Sequence, residues 1–181
     1  MTARALDRVL LVGFMGSGKT SVGQLVAERL GWRFVDFDDE IEREAGAPIA
    51  ALFAEHGEAH FRAIEARVAD RLLAEQGVVL GSGGGWGGVP GRLTTLPAAT
   101  GSFWLEVSAP TAIQRTSREP GIRPLLDGPD ALDTAARLLA ERAPFYRQAR
   151  WAVDTEHSSV EDVSARILEI LMQEYPKIFT E

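Results

Sequence analysis

The stretch GFMGSGKT, Gly13 to Thr20, constrains the chain more than any other. It matches G-x-x-x-x-G-K-[ST], with the apolar run RVLLV before it and helical spacing after it. A strand, a glycine turn and a helix in that order aim backbone N–H groups and the positive end of the helix at one point. The result is a cradle for phosphate. Gly13, Gly16 and Gly18 supply the backbone freedom that the turn needs. Lys19 is one of only two lysines, with Lys177, among nineteen basic residues. Its compact charge on a flexible stem reaches between β- and γ-phosphates, where a planar guanidinium fork would be bulky in a closed loop. Thr20 adjoins it with a hydroxyl for Mg²⁺. Nucleotide phosphate binding follows from this pattern, but the fate of the phosphate does not.

The rest of the chain alternates short apolar runs with helical segments. RVLLVG, WRFVDFD, GVVLGSGGG, GSFWLEVSAP (stopped by Pro110) and RWAVDT read as strands. Helical patterns cover KTSVGQLVAERLG, about Asp38 to Glu75 with breaks near Gly46–Pro48 and at Gly57, TAIQRTS, about Ala131 to Gln148 with a kink at Pro144, and SVEDVSARILEILMQEY. Strands separated by helices predict an α/β fold: three layers, α/β/α, around a five-stranded parallel sheet. With 181 residues, no repeat and no linker, the whole of 1–181 is expected to form a single domain.

A formal net charge of −7 argues against a general nucleic-acid binder and requires basic residues to gather wherever an anion is held. No apolar run approaches membrane-spanning length, no secretion signal is visible and there is no cysteine, so the expected setting is the cytoplasm.

Several segments answer the need for a site. FVDFDDEIE places Asp36 and Asp38 at the carboxyl end of the second strand, where α/β sheets hold their ligands. One suits the magnesium shell and the other suits accepting a proton from a hydroxyl. Asp39 and Glu40 are explained by the helix dipole alone. Arg62 and Glu65 are spaced as an ordinary helix-surface pair. His56 and His60 lack a zinc pattern. GSGGG, with Gly83, Gly84 and Gly85, reads as a tight turn approaching a ligand or as a flexible loop. REPGIRPLLDG, with Arg115 just upstream and Arg118 and Arg123 within, reads as a mobile lid over about 117–128. ERAPFYR adds Arg142 and Arg147, of which one is expected to face the site.

Taken together, these segments resemble shikimate kinase, from about Arg8 to Leu171 and in that family's order. The resemblance implies ATP-dependent phosphorylation of shikimate to shikimate 3-phosphate, in chorismate and aromatic amino acid biosynthesis, with Mg²⁺. GFMGSGKTSVG resembles the family's phosphate loop, placing ATP on Gly16, Ser17, Gly18, Lys19, Thr20 and Ser21. DFDDEIE is similar to D-x-D-x-x-I-E, which implies Asp36 (with Thr20) as metal ligand and Asp38 as shikimate-binding base within a substrate-binding segment of about 37–66. FRAIE resembles F-R-x-x-E, so Arg62 would grip the carboxylate and Glu65 orient it. Gly83 to Gly85 would line the substrate pocket. IRPLL resembles the lid motif, putting Arg123 on the transferring phosphate. R-x-x-x-Y carries Arg142 onto the second carboxylate arginine, and Arg115 matches the residue that stacks on adenine. Lys19, Asp38 and Arg123 would be catalytic. The partners implied are the small molecules ATP and shikimate, with no nucleic acid, no membrane and a monomeric state. Trp86 stands where the family usually has a small residue, and its bulk either reshapes the pocket or packs behind it. After the last strand, DTEHSSVEDV lacks the basic residue and proline often found near adenine. The alternatives are a same-fold kinase for another hydroxy acid such as gluconate, and a nucleotide-binding switch with no acceptor.

Overall fold

A computed structural model describes residues 5–117 and 129–179. In chain order it contains β1 (Arg8–Val12), α1 (Lys19–Leu30), β2 (Arg33–Asp36), α2 (Phe37–Ala45), α3 (Ile49–Leu72), β3 (Val78–Gly81), β4 (Thr100–Glu106), α4 (Ala109–Thr116), α5 (Ala131–Tyr146), β5 (Trp151–Asp154) and α6 (Val160–Glu174). The strands form one parallel sheet in the order β2-β3-β1-β4-β5, as the alternating pattern predicts.

β1 is buried along its whole length, as a central parallel strand must be. Its side chains alternate between two cores. Leu10 and Val12 face Phe37, Ile64, Val68, Trp86 and Tyr146, under α2, α3 and α5. Val9 and Leu11 face Val22, Val26, Ile167 and Leu171, under α1 and α6. Helices therefore cover both sides of the sheet, and the loops at the carboxyl ends of the strands are left to build a site.

Two element boundaries differ from the sequence reading for local reasons. β2 stops at Asp36 because its carboxylate accepts from Asp38 N at 2.9 Å and caps α2, so Phe37 is already helical. β4 ends at Glu106, and Pro110 sits inside the first turn of α4, where its missing N–H removes no helical bond. Gly57, with φ of 77°, kinks α3, and α5 continues through Pro144 to Tyr146.

Candidate active site

The loop between β1 and α1 wraps closely around its own lysine. Lys19 Nζ donates to the carbonyls of Gly13 at 2.8 Å and Phe14 at 3.0 Å, so the charge is folded over the loop. Gly16 has φ of 76°, and a β-carbon there would stand 2.8 Å from Ala112 O in α4, so glycine is required on both counts. Ser17 is buried, and its Oγ has no hydrogen-bond partner among the described residues. A buried hydroxyl in a nest of N–H groups suits an arriving anion. Ser21, on the first turn of α1, is exposed.

Beside the loop, Thr20 Oγ1 donates to Asp36 Oδ2 at 3.0 Å. A hydroxyl and a carboxylate next to a phosphate cradle are hard oxygen donors of the kind Mg²⁺ takes when phosphate and water fill its other positions. Among the described residues no group of three or more His, Cys, Asp or Glu side chains could hold a metal. The rings of His56 and His60 lie 4.7 Å apart, but nothing completes a site around them.

Asp38, in the first turn of α2, lies against the glycine turn that follows β3. A β-carbon on Gly83 would come within 2.7 Å of Asp38 Oδ1, so only glycine lets this carboxylate lie where it does. One residue on, Gly84 O accepts from Tyr146 OH at 2.5 Å and from Arg142 Nη1 at 3.2 Å, both from α5. Tyr146 is buried, and burial pushes its hydroxyl up to about 12, so it remains a donor.

Arginines 62 and 142 converge on Gly85. A β-carbon there would lie 3.7 Å from both Nη1 and Nη2 of Arg62 and 3.8 Å from Nη2 of Arg142. Arg62 also donates to Glu65 at 2.9 Å and lies 3.4 Å from Glu58. The Glu65 side chain is only 3% exposed, so this is no ordinary helix-surface pair. Burial works against the Arg62 charge, but the bond and field of Glu65, with help from Glu58, outweigh it and raise the pKa. The Arg142 guanidinium lies over the ring of Phe14, 5.8 Å from its centroid. Two fork donors on one glycine, beside a phosphate cradle, match a carboxylate bidentately. The basic residues that an acidic chain needs are gathered here.

Arg115, from α4, donates to Gly16 O at 3.3 Å and to Thr155 O at 2.6 Å, joining the phosphate loop to the turn after β5. Arg147 is exposed and lies over the ring of Trp104. Arg118, Arg123 and the expected lid segment 118–128 lie outside the described residues. Trp86 is 1% exposed and meets Phe37 edge-on at 5.3 Å, so its bulk packs behind the glycine turn. Sequence reasoning missed the contact of Tyr146 with Gly84 O. Its signal was the four-residue spacing from Arg142, which puts both on one helix face. It also missed Thr155 and Glu156, which nothing in the local pattern marks.

Comparison with known proteins gives a consistent family. The family model described as "Shikimate kinase" matches residues 15–172. Shikimate kinase of Symbiobacterium thermophilum is 42% identical over 91% of this chain and 96% of its own. That of Nitrobacter winogradskyi is 47% identical over 82% of this chain and 69% of its own. Among solved structures, shikimate kinase from Acinetobacter baumannii in complex with shikimate superimposes with a TM-score of 0.86 at 34% identity, covering 94% of this chain and 95% of that one. A gluconokinase from Sinorhizobium meliloti 1021 shares only the fold, at 18% identity and a TM-score of 0.59.

Proposed function

The chain belongs to the shikimate kinase family, and from that membership we infer how its cleft carries out ATP-dependent phosphorylation of shikimate to shikimate 3-phosphate, a step of the shikimate pathway. The observation that carries the reading is the convergence of Arg62 and Arg142 on Gly85, with Asp38 held against Gly83 two residues away. A ring carboxylate gripped by the two guanidinium forks would turn its hydroxyl toward Asp38 and the phosphate loop.

In this reading the loop N–H groups and Lys19 hold the triphosphate. Lys19 leaves the Gly13 and Phe14 carbonyls to meet the β- and γ-phosphates. Arg62, fixed by buried Glu65, and Arg142 lock the acceptor so that its hydroxyl lies in line with the transferring phosphorus. Asp38 takes up the hydroxyl proton. Because phosphoryl transfer rests mainly on positioning and charge neutralisation, Asp38 need be only a modest base. Arg123 is assigned to the transferring phosphate and Arg115 to the nucleotide. Thr20 and Asp36 would hold Mg²⁺, which neutralises charge on the phosphates. A monomer in the cytoplasm, with partners limited to the two small molecules, suits this reading. Among the described residues no helix is long and apolar enough to cross a membrane.

The test is ADP release with ATP and Mg²⁺ in the presence of a panel of hydroxy acids. Stimulation by shikimate well above gluconate is expected. Equal or greater stimulation by gluconate would transfer the cleft to the other acceptor. Nucleotide binding with no acceptor-dependent turnover would favour a switch.

A further inference from the structure

The two residues after β5, Thr155 and Glu156, contact both ends of α4. Thr155 is buried, and its hydroxyl sits in a relay. It donates to Glu106 O at the end of β4 at 2.7 Å and accepts from Arg115 Nη1 at 3.1 Å. The Thr155 carbonyl accepts from Arg115 Nη2 at 2.6 Å, and the same guanidinium reaches Gly16 O in the phosphate loop. The next residue, Glu156, grips the opposite end of the same helix. Its carboxylate accepts from Ser108 N at 2.9 Å, from Ser108 Oγ at 2.7 Å and from Thr111 Oγ1. Two adjacent residues thus hold α4 at its N-terminus and near its C-terminus.

α4 is also the wall of the phosphate loop. A β-carbon on Gly16 would meet Ala112 O at 2.8 Å and Thr116 Cγ2 at 3.1 Å, so the helix backbone and the loop are in direct contact. A shift of α4 along or away from the sheet would change the position of Gly16 and with it the direction of the nest N–H groups. We infer that Thr155 and Glu156 form a clasp that seats α4 against the phosphate loop, making both of them positioning residues for the nucleotide although neither belongs to the loop. The three donors keep the Glu156 carboxylate charged: its pKa is drawn down to about 2, by the Thr111 hydroxyl first and Ser108 next. The clasp occupies DTEHSSVEDV, a segment without lysine, arginine or proline, and steadies the nucleotide side by a carboxylate and a hydroxyl instead.

The inference rests on reading that loop as the ATP site and is independent of the acceptor. Its test is calorimetric titration of each variant with Mg·ATP alone, accompanied by KM for ATP, KM for shikimate and Tm. T155V and E156A should each weaken ATP by about threefold to tenfold, the range that one net hydrogen bond commands. KM for shikimate should stay within about twofold, and T155S, which keeps the hydroxyl, should restore ATP binding. E156Q keeps the shape of Glu156 with fewer acceptors and should fall between native and E156A, which decides the matter if T155V does not fold. Unchanged ATP affinity in E156A and E156Q overturns the inference. So does a parallel rise in both KM values that follows the loss of Tm, the mark of a merely structural role. Failure of native protein to turn over shikimate would sink the acceptor reading and leave the ATP titration to judge the clasp. Failure of native protein to bind Mg·ATP would overturn both.

Discussion

Replacing Gly83 by alanine isolates the position of the proposed base. The added β-carbon would sit 2.7 Å from Asp38 Oδ1, about 0.7 Å inside the 3.4 Å at which ordinary contact begins. Asp38 is short and anchored in the first turn of α2, so the carboxylate must turn or retreat by most of that distance. Gly83 lies outside the positive-φ region, so alanine brings no backbone strain, and the other near atoms also belong to Asp38. The cost should therefore fall on chemistry more than on folding. Misplacing a reacting group by about 1 Å costs on the order of 100-fold. A loss of about 10- to 100-fold in kcat is expected, or about 1.4 to 2.7 kcal/mol in the barrier. Coupled ADP assays at saturating ATP give kcat, calorimetry gives ATP affinity, and a thermal melt checks the fold. ATP affinity should be unchanged and Tm nearly so. A G83A enzyme with native kcat would refute the placement of Asp38 against the reacting hydroxyl. So would losses in G83A and D38N that add fully in D38N/G83A, because the alanine is expected to act only through Asp38.

The other predictions concern the carboxylate grip, the metal and acid stability. R142A should raise KM for shikimate about 10- to 100-fold and spare ATP, the loss expected of a charged hydrogen-bonding pair. R62A should do the same and also lower Tm, because buried Glu65 loses its partner at a cost of about 3 kcal/mol or more. Steady-state kinetics and melting curves separate the two effects. D36N should raise the Mg²⁺ concentration needed for half-maximal rate, read by titrating the metal at fixed ATP. Because the pKa of Glu156 is lowered to about 2 from an ordinary 4.5, its contribution to stability is complete above 4.5 and lost as pH falls toward 2. Urea midpoints should therefore show the native protein losing its advantage over E156Q on acidification through that window, and a gap that widens there would contradict the sign.

Much of this architecture was legible in residue order because its determinants are local. The continuous apolar run of β1, the glycine turn before α1 and the closing Gly31 each act over a few positions, and each is visible in a short window. The parallel sheet followed from the alternation of elements. The candidate site was legible as motifs but not as a set of contacts. Arg62 and Arg142 are 80 residues apart in the chain, and only the folded glycine turn brings them to one point. Glu65 looked like a surface partner because its burial depends on the sheet beneath α3, which spacing along a helix does not report. Trp86 left two readings open, and packing on Phe37 decided between them. Thr155 and Glu156 gave no signal because their partners, Ser108, Thr111 and Arg115, lie on a helix about 40 residues earlier.

The most direct test is a crystal structure of the protein with shikimate and a non-hydrolysable ATP analogue. The expected result is a ring carboxylate lying between Arg62 and Arg142, with the 3-hydroxyl between Asp38 and the γ-phosphorus. A ring bound with that hydroxyl turned away from the phosphorus, or a carboxylate held elsewhere, would contradict the account.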